Sequence, residues 1–253
     1  MLSYRFDLFI QIFSVLIPVT MLYFFAGIVN GVDIPILKSY GGNYFGFLIV
    51  GIAFSDYAGI SINSFSGNIR DGQLTGTLEI ILASPTRLFT FLFSSSLWSY
   101  IFTTFRLFLY FLASIFLYKL EIGKANILSA VVIFTFSIIT CIAIGFISAS
   151  LVLVVKRGEA ALKSIGAISM IISGVIFPIE SLPPVLKNIA LVLPFTYTYH
   201  GLRLSILEGQ SLTQLQGDAI ALICFSVVFM LISLVVFPYA VRQAKVKGSL
   251  AQY

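Results

Sequence analysis

Two ionisable residues, Asp56 and Arg106, stand inside long apolar runs of the sequence. A charge within a bilayer is costly, so such residues usually face the interior of a helix bundle or pair with each other. Asp56 lies 12 residues after Tyr44, and Arg106 lies 12 residues before Tyr118, at the outer ends of the two runs. At about 1.5 Å per residue, both reach a depth of about 18 Å. We therefore predict that they pair, within one subunit or across a dimer, either to fix helix packing or to contact a substrate.

Residue types that carry catalysis or bind metals are scarce in this chain. It contains one histidine, His200, and two cysteines, Cys141 and Cys224, which both lie in apolar runs. One histidine excludes a multi-histidine metal site within one chain, and no carboxylate pair or Ser/His/Asp set presents itself. We therefore expect neither a catalytic site nor a metal site, and we interpret His200 as structural.

The composition indicates the class of protein. Hydrophobic residues make up 59% of the 253 residues and charged residues 10%, against about 25% charged residues in soluble domains. Too few charges remain to cover a soluble surface, and a disordered chain needs the opposite balance. The excess positive charge is scattered singly, without the basic stripe and aromatic residues of nucleic-acid binding. The chain is therefore predicted to be an integral membrane protein.

Six apolar runs approach or exceed the length of a membrane helix, which is about 20 residues. The runs are continuous rather than alternating, which argues against a strand barrel. The prediction is one all-α membrane domain over residues 1–253, with six transmembrane helices at about 6–29, 44–65, 93–118, 127–155, 163–177 and 219–239. The loops on the side of the two termini contain more basic residues than the loops on the opposite side. We therefore predict a multi-pass protein of the cell membrane with both termini cytoplasmic.

The loop at 66–87, between the second and third runs, interrupts the hydropathy pattern. Its residues 70–72, Arg-Asp-Gly, indicate a turn. Thr75 or Thr77 can cap the start of a helix, and Glu79 in the first turns suits the helix dipole. The loop is therefore predicted to contain a short cytosolic helix.

One face of this short helix is apolar. Leu78, Ile81 and Leu82 share it at i, i+3, i+4 spacing, and Pro85 ends the segment. A helix of about two turns is not stable alone. It either lies on the membrane surface or on its own bundle, or it docks into a groove on a partner protein.

Two motifs resemble those of the ABC-2 family of ATP-binding-cassette transporter permeases. In that family, a stretch of type R-x-x-G-T-L-E-x-L-L-x-[ST]-P follows the second membrane helix. It is matched here by Gly76, Thr77, Leu78, Glu79, Ser84 and Pro85, while Arg70 stands six residues before Gly76. The outer pattern F-P-x-x-x-L-P, L-P, R and G is similar to Phe177, Pro178, Leu182, Pro183, Leu193, Pro194, Arg203 and Gly209.

The resemblance implies half of a membrane channel, in which two permeases assemble and each binds a separate cytosolic ATPase. The loop would supply the coupling helix that receives the ATPase stroke. The coupling residues would be Arg70, Thr75, Gly76, Thr77, Leu78, Glu79, Leu82, Ser84 and Pro85. The chain carries no G-x-x-x-x-G-K-[ST] phosphate loop. ATP and Mg are therefore expected on the partner, with no cofactor and no enzymatic activity on this chain itself.

The segment at 178–203 is broken by prolines. The fifth run stops at Pro178 after about fifteen residues, or roughly 22 Å, which is short of the roughly 30 Å hydrocarbon core. The simplest geometry is a re-entrant outer segment, and interrupted segments often mark a transport pathway. The alternative is a plain outer loop lying on the bundle. Candidate outer-gate residues are Phe177, Pro178, Pro183, Pro194 and Arg203.

The leading functional prediction is a permease subunit of an ATP-driven exporter of a lipid, drug or glycan-type substrate. Its expected partners are the ATPase, a second permease subunit (a homodimer or, alternatively, a heterodimer) and membrane lipids, but not nucleic acid. The alternative is an ATP-independent channel or an ion-coupled secondary carrier. A membrane-embedded enzyme would need a polar site that the sequence does not show.

Overall fold

The computed structural model describes residues 2–29, 35–85, 87–155 and 158–247, and every regular element within these ranges is a helix. Helices make up 84% of the structure, which confirms the all-α class. The α-helices are α1 (Leu2–Val29), α2 (Tyr44–Leu74), α3 (Thr77–Ala83), α4 (Leu88–Tyr118), α5 (Ile127–Val154), α6 (Glu159–Ile172), α7 (Pro184–Leu191), α8 (Pro194–Leu207) and α9 (Gln216–Lys247). Short 3-10 helices lie at Pro35–Tyr40 and Ile179–Ser181. Thr86 and the extreme termini lie outside the described residues.

Within the described ranges, α1, α2, α4, α5 and α9 are long and apolar enough to cross a membrane. Asparagine side chains begin two of them. Asn43 accepts a hydrogen bond from the Gly46 N–H at 3.2 Å, and Asn126 accepts one from the Ser129 N–H at 3.1 Å. These caps satisfy N–H groups that the start of a helix leaves unpaired. The helix of the fifth run, α6, is shorter, so the sixth crossing stays a prediction.

Two helix ends differ from the sequence-based boundaries in places that bear on function. α2 continues to Leu74 instead of ending near residue 65, and the turn predicted at 70–72 is wrong because those residues lie inside α2. Ile69 and Gly72 are buried there, so packing carries the helix on past the apolar run. α6 ends at Ile172, well before Pro178, and Gly174 follows it with a φ of +92°. Glycine adopts this left-handed conformation without steric cost.

The core follows α2, which packs against α1, α3, α4, α5, α6 and α8. Three apolar clusters lie one after another along it: the first holds Phe47, the second Phe54 and Tyr57, and the third Phe65 and Ile69. All five side chains are buried. On the far side, α5 packs along α9, and α8 fills the space between α2, α5 and α9. α2 is therefore the element that connects the two ends of the bundle.

Candidate functional sites at both ends of the bundle

The predicted cytosolic helix is α3, and it joins α2 through a two-residue corner. Thr75 closes α2, with its N–H and Oγ1 donating to the Asp71 carbonyl at 2.9 and 2.7 Å. Gly76 follows with a φ of +70°, which suits glycine in so tight a corner. The prediction that Thr75 or Thr77 caps this helix is wrong: Gly76 is the N-cap and makes no side-chain cap bond. The corner holds α3 directly against the end of α2.

The two faces of α3 have different environments. Leu78 is 1% exposed and belongs to the third apolar cluster, while Ile81 and Leu82 pack partly buried beside it. A Cβ on Gly72 would lie 3.3 Å from the Leu78 Cβ, so α3 and α2 approach closely at that point. On the other face Glu79 is exposed and Ile80 is 71% exposed. α3 is therefore anchored by one face and presents the other.

Backbone and hydroxyl bonds close α3 at its C-terminus. The Ser84 N–H donates to the Ile80 carbonyl at 3.0 Å, and the Ser84 Oγ donates to the Ile81 carbonyl at 2.7 Å. Pro85 follows, exposed, and Arg70 lies half-buried in the last turns of α2. The coupling residues predicted from sequence therefore form one structural unit at the α2–α3 corner.

The structure brings Asp56 and Arg106 together midway along α2 and α4. Arg106 Nη2 lies 3.1 Å from Asp56 Oδ2, and it donates to the Tyr110 hydroxyl at 3.2 Å. The side chains of Arg106 and Asp56 are 27% and 24% exposed. The helix rise predicted that the two residues lie at equal depth, and the structure shows that they form a direct ion pair within one chain. Any contact of the pair with a substrate stays a prediction.

At the opposite end, Arg203 holds the broken end of α6. It is 2% exposed on α8. Its Nη1 and Nη2 donate to the carbonyls of Gly174 and Val175, each at 2.8 Å, and its Nε donates to the Phe47 carbonyl at 3.1 Å. The guanidinium therefore supplies donors to two carbonyls of the turn that follows α6 and to one carbonyl of α2. A cation beyond a helix C-terminus also suits the helix dipole.

The pocket around Arg203 is closely fitted. The guanidinium carbon lies 3.4 Å from the centre of the Phe47 ring. A Cβ on Gly51 would come within 2.5 Å of the Val175 carbonyl oxygen and 2.6 Å of Arg203 Nη2. Only glycine at this position lets the backbone of α2 approach the end of α6 so closely. Arg203 therefore joins α2, α8 and the turn after α6 with a buried side chain, and a role at an outer gate stays a prediction.

The other predicted outer-gate residues differ in burial and in their position relative to the helices. Pro178 is buried, and Phe177 is 47% exposed. Pro183 is the N-cap of α7, and Pro194 is the first residue of α8, a position that tolerates the missing proline N–H. The prolines therefore set helix boundaries in the outer segment, and a gating role stays a prediction.

Sequence analysis missed a polar contact at the same end. His200 Nδ1 lies 2.7 Å from Asp218 Oδ2, in the first turn of α9. The Tyr40 ring meets the His200 ring edge-on at 5.9 Å, and the Tyr40 hydroxyl donates to Glu180 Oε1 at 3.4 Å. His200 lies outside the candidate membrane spans. Burial opposes its protonation, but the hydrogen bond and charge of Asp218 outweigh burial and raise the pKa of His200 above 6.5.

Among the described residues, no group of three or more His, Cys, Asp and Glu side chains could hold a metal ion. Cys141 is buried and Cys224 exposed, and neither is in a disulfide. The contacts of Arg106, Arg203 and His200 are ion pairs and hydrogen bonds, and they position helices against one another.

Comparison with known proteins assigns the family. The sequence profile described as ABC-2 family transporter protein matches residues 31–235, which is most of the chain. No curated protein matches the chain. The match includes the α2–α3 corner, the charge pair and the outer segment. The family's members are membrane components of transporters and associate with an ABC ATPase subunit. This chain, a multi-pass integral membrane protein, therefore belongs to the ABC-2 family of transporter permeases.

Proposed function

We propose that the chain is the membrane-spanning subunit of an ATP-driven exporter and receives force from a separate cytosolic ATPase through α3. The observation that carries the proposal is the two-faced burial of α3. Leu78 is buried against the bundle, while Glu79 and Ile80 project outward on the opposite face. A short helix anchored in this way offers a partner an apolar and an acidic side chain, and it cannot move without its bundle contacts moving too.

α2 provides the route by which movement of α3 reaches the outer end. It is one continuous helix of 31 residues, about 45 Å long at the usual rise. One end adjoins α3 through Gly72 and Leu78, and the other reaches Arg203 through Phe47 and Gly51. Displacement of α3 by the ATPase would therefore tilt or shift α2 against the broken end of α6. That shift is the proposed cause of outer opening.

The proposed topology has six crossings with both termini in the cytoplasm. α6 has 14 residues, roughly 21 Å of helix, so it reaches only part of the way across the hydrocarbon core. The outer segment, with α7 and α8, would complete the passage as a re-entrant unit. The fork of Arg203 supports this geometry, because backbone carbonyls at membrane depth need internal donors.

The proposed assembly is a dimer, with a lipid, drug or glycan-type compound as substrate. α6 exposes Ile165, Ile168 and Ile171 along one side, each at least 48% exposed. This side offers an apolar surface for lipid or for a second permease. Bulky apolar or amphiphilic substrates suit such surroundings better than small ions do, because the exposed surfaces offer few charges to coordinate an ion.

The test of coupling uses substitutions on the outward face of α3. Glu79→Arg and Ile80→Asp leave the buried contact of Leu78 in place. Both should reduce co-purification of the ATPase and its substrate-stimulated hydrolysis about tenfold, since central contacts of an interface commonly contribute that much. Glu121→Arg, a charge reversal at another exposed glutamate, in the α4–α5 loop, is the matched control. Unchanged ATPase binding in both α3 variants would contradict the coupling role.

A further inference from the structure

A cavity of about 690 Å³ opens at the cytoplasmic end, between the α3–α4 turn and the last turns of α9. Leu82, Ser84 and Pro85 form one side, and Phe237 and Val241 of α9 form the opposite side. The cavity is within the 300–1,000 Å³ range, roughly, of sites that bind small ligands.

One part of the cavity wall is apolar. Its walls include Leu88 and Phe89 from the start of α4, and Leu234 and Phe237 from α9. Phe89 and Phe237 meet edge-on with their ring centres 6.4 Å apart. Leu234 is 55% exposed and Phe89 45% exposed, so the apolar wall continues onto the outer surface of two candidate membrane spans. A hydrocarbon chain could therefore enter from the side of the bilayer.

The rim of the cavity is positive. Arg87, Arg242 and Lys245 line it and are exposed, and no acidic residue is among the lining residues. Arg242 and Lys245 are three positions apart on α9, so they share one face of that helix. The ion pair of Arg106 with Asp56 and that of His200 with Asp218 involve none of these three cations. The N-terminal end of α4 lies beside Arg87 and adds positive partial charge.

We propose that this cavity binds an anionic phospholipid of the cytoplasmic leaflet, with its phosphate at the three cations and one acyl chain along Leu234 and Phe237. The inference rests on the cytoplasmic orientation proposed above. Charge complementarity at the rim selects an anionic headgroup, and basic pockets between membrane helices favour such lipids. The continuous apolar wall selects a lipid over a soluble phosphate compound, which would leave that wall in contact with water.

The position of the cavity gives the bound lipid a consequence for coupling. Leu82 belongs to α3, and Ser84 and Pro85 connect α3 to α4. A lipid seated there would bridge this turn to α9. Occupancy would therefore stiffen the α3 support, and ATPase stimulation by the permease would rise with the anionic share of the bilayer.

The binding test uses the full-length chain in nanodiscs of phosphatidylcholine with a small share of photoactivatable phosphatidylglycerol. Cross-linked peptides are located by mass spectrometry. We expect cross-links concentrated at residues 87–89 and 233–245, with far fewer when photoactivatable phosphatidylcholine replaces the anionic probe. Combining Arg87→Gln, Arg242→Gln and Lys245→Gln should lower the anionic labelling roughly tenfold or more. Val241→Trp should lower it without any change in charge, by filling the cavity.

Two controls separate a built site from general attraction to a basic surface. The outer-side combination Lys119→Gln, Lys124→Gln and Lys187→Gln removes the same charge and should leave the labelling intact. Lys163→Gln, a single change on the cytoplasmic side, should also leave the labelling intact. The matching single change in the cavity, Arg87→Gln, should lower the labelling. Equal labelling by both lipids, labelling that survives the triple pocket variant, or labelling abolished by an excess of soluble glycerol phosphate would each overturn the proposal.

This measurement is independent of the ATPase. If labelling is as expected but no ATPase co-purifies with the chain, the lipid site stands and the proposed coupling function fails. If the ATPase binds and labelling is absent, only the lipid site fails. When both the labelling and the ATPase binding are observed, ATP hydrolysis measured with and without phosphatidylglycerol shows whether the bound lipid contributes to coupling. We expect phosphatidylglycerol to raise hydrolysis with the unmodified chain but not with the triple pocket variant.

Discussion

The two ends of the bundle are held in opposite ways. At the end that the proposed topology places outside the cell, the buried guanidinium of Arg203 binds three backbone carbonyls and joins three helices. At the end that it places in the cytoplasm, α3 is held by the apolar side chain of Leu78, and its polar residues point outward. The polar groups around Arg203 are therefore hydrogen-bonded within the chain, whereas those of α3 are free to contact water or a partner protein.

The difference follows from the break in α6. The turn that follows the break carries the carbonyls of Gly174 and Val175, and buried carbonyls cost free energy unless a donor reaches them. A buried arginine has several donors in a fixed fork and reaches these two carbonyls and that of Phe47 together. α3 ends in an accessible region and needs no such donor. The outer end is therefore expected to be stiff and intolerant of change, while the outward face of α3 should tolerate substitution and serve contact.

The largest expected effect is at Arg203. Arg203→Leu removes the side-chain donors from the carbonyls of Gly174 and Val175. It should cost about 3–5 kcal/mol of folding stability, read as a large fall in Tm or loss of monodisperse protein in detergent. Arg203→Lys should recover only part of the loss, since lysine cannot reproduce the fork. A Tm for Arg203→Leu close to that of the unmodified chain would refute the bracing role.

Substitutions in α3 should separate anchoring from contact. Leu78→Ala removes a fully buried side chain and should cost about 2–3 kcal/mol. Ile80→Ala, at a position 71% exposed, should change stability by less than about 0.5 kcal/mol. Thermal unfolding of the purified chain measures both. Equal Tm losses in the two variants would show that α3 is not held by one face.

A pair of glycines in α2 tests how closely the outer end is fitted. Gly51→Ala places a methyl group against the Val175 carbonyl and Arg203, and should destabilise the chain by about 1–3 kcal/mol. Gly59→Ala, in the same helix with open space at its Cβ position, is the matched control. It should be neutral or should stabilise slightly, because alanine suits a helix better than glycine. Similar Tm values for the two variants would disprove the close approach.

The smallest effect concerns pH. The pKa of His200 is raised in the folded chain, so the charged contact with Asp218 contributes fully below the unfolded pKa near 6.5. That contribution is lost as the pH rises through the folded value. The Tm difference between the unmodified chain and His200→Gln should therefore be larger at acidic than at alkaline pH. A difference that is constant across this range, or that grows toward alkaline pH, would contradict the contact.

Several features could be predicted from the sequence because they depend on local spacing. Continuous apolar runs predict the long helices, since a membrane-spanning segment must satisfy its own backbone. The spacing of Leu78, Ile81 and Leu82 predicts the buried face of α3. Counting residues inward from Tyr44 and Tyr118 places Asp56 and Arg106 at one depth. Each of these arguments needs only the rise and periodicity of a single helix.

Tertiary structure alone decided the rest. The residues at 70–72 read as a turn, but burial of Ile69 and Gly72 keeps them helical. The partners of Arg203 are main-chain atoms near positions 47 and 175, and every residue carries such atoms, so the sequence holds no signal for them. The contact of His200 with Asp218, and the cavity between α4 and α9, arise only when distant segments pack. Helix periodicity is local information, whereas the choice of a neighbour is made by the whole bundle.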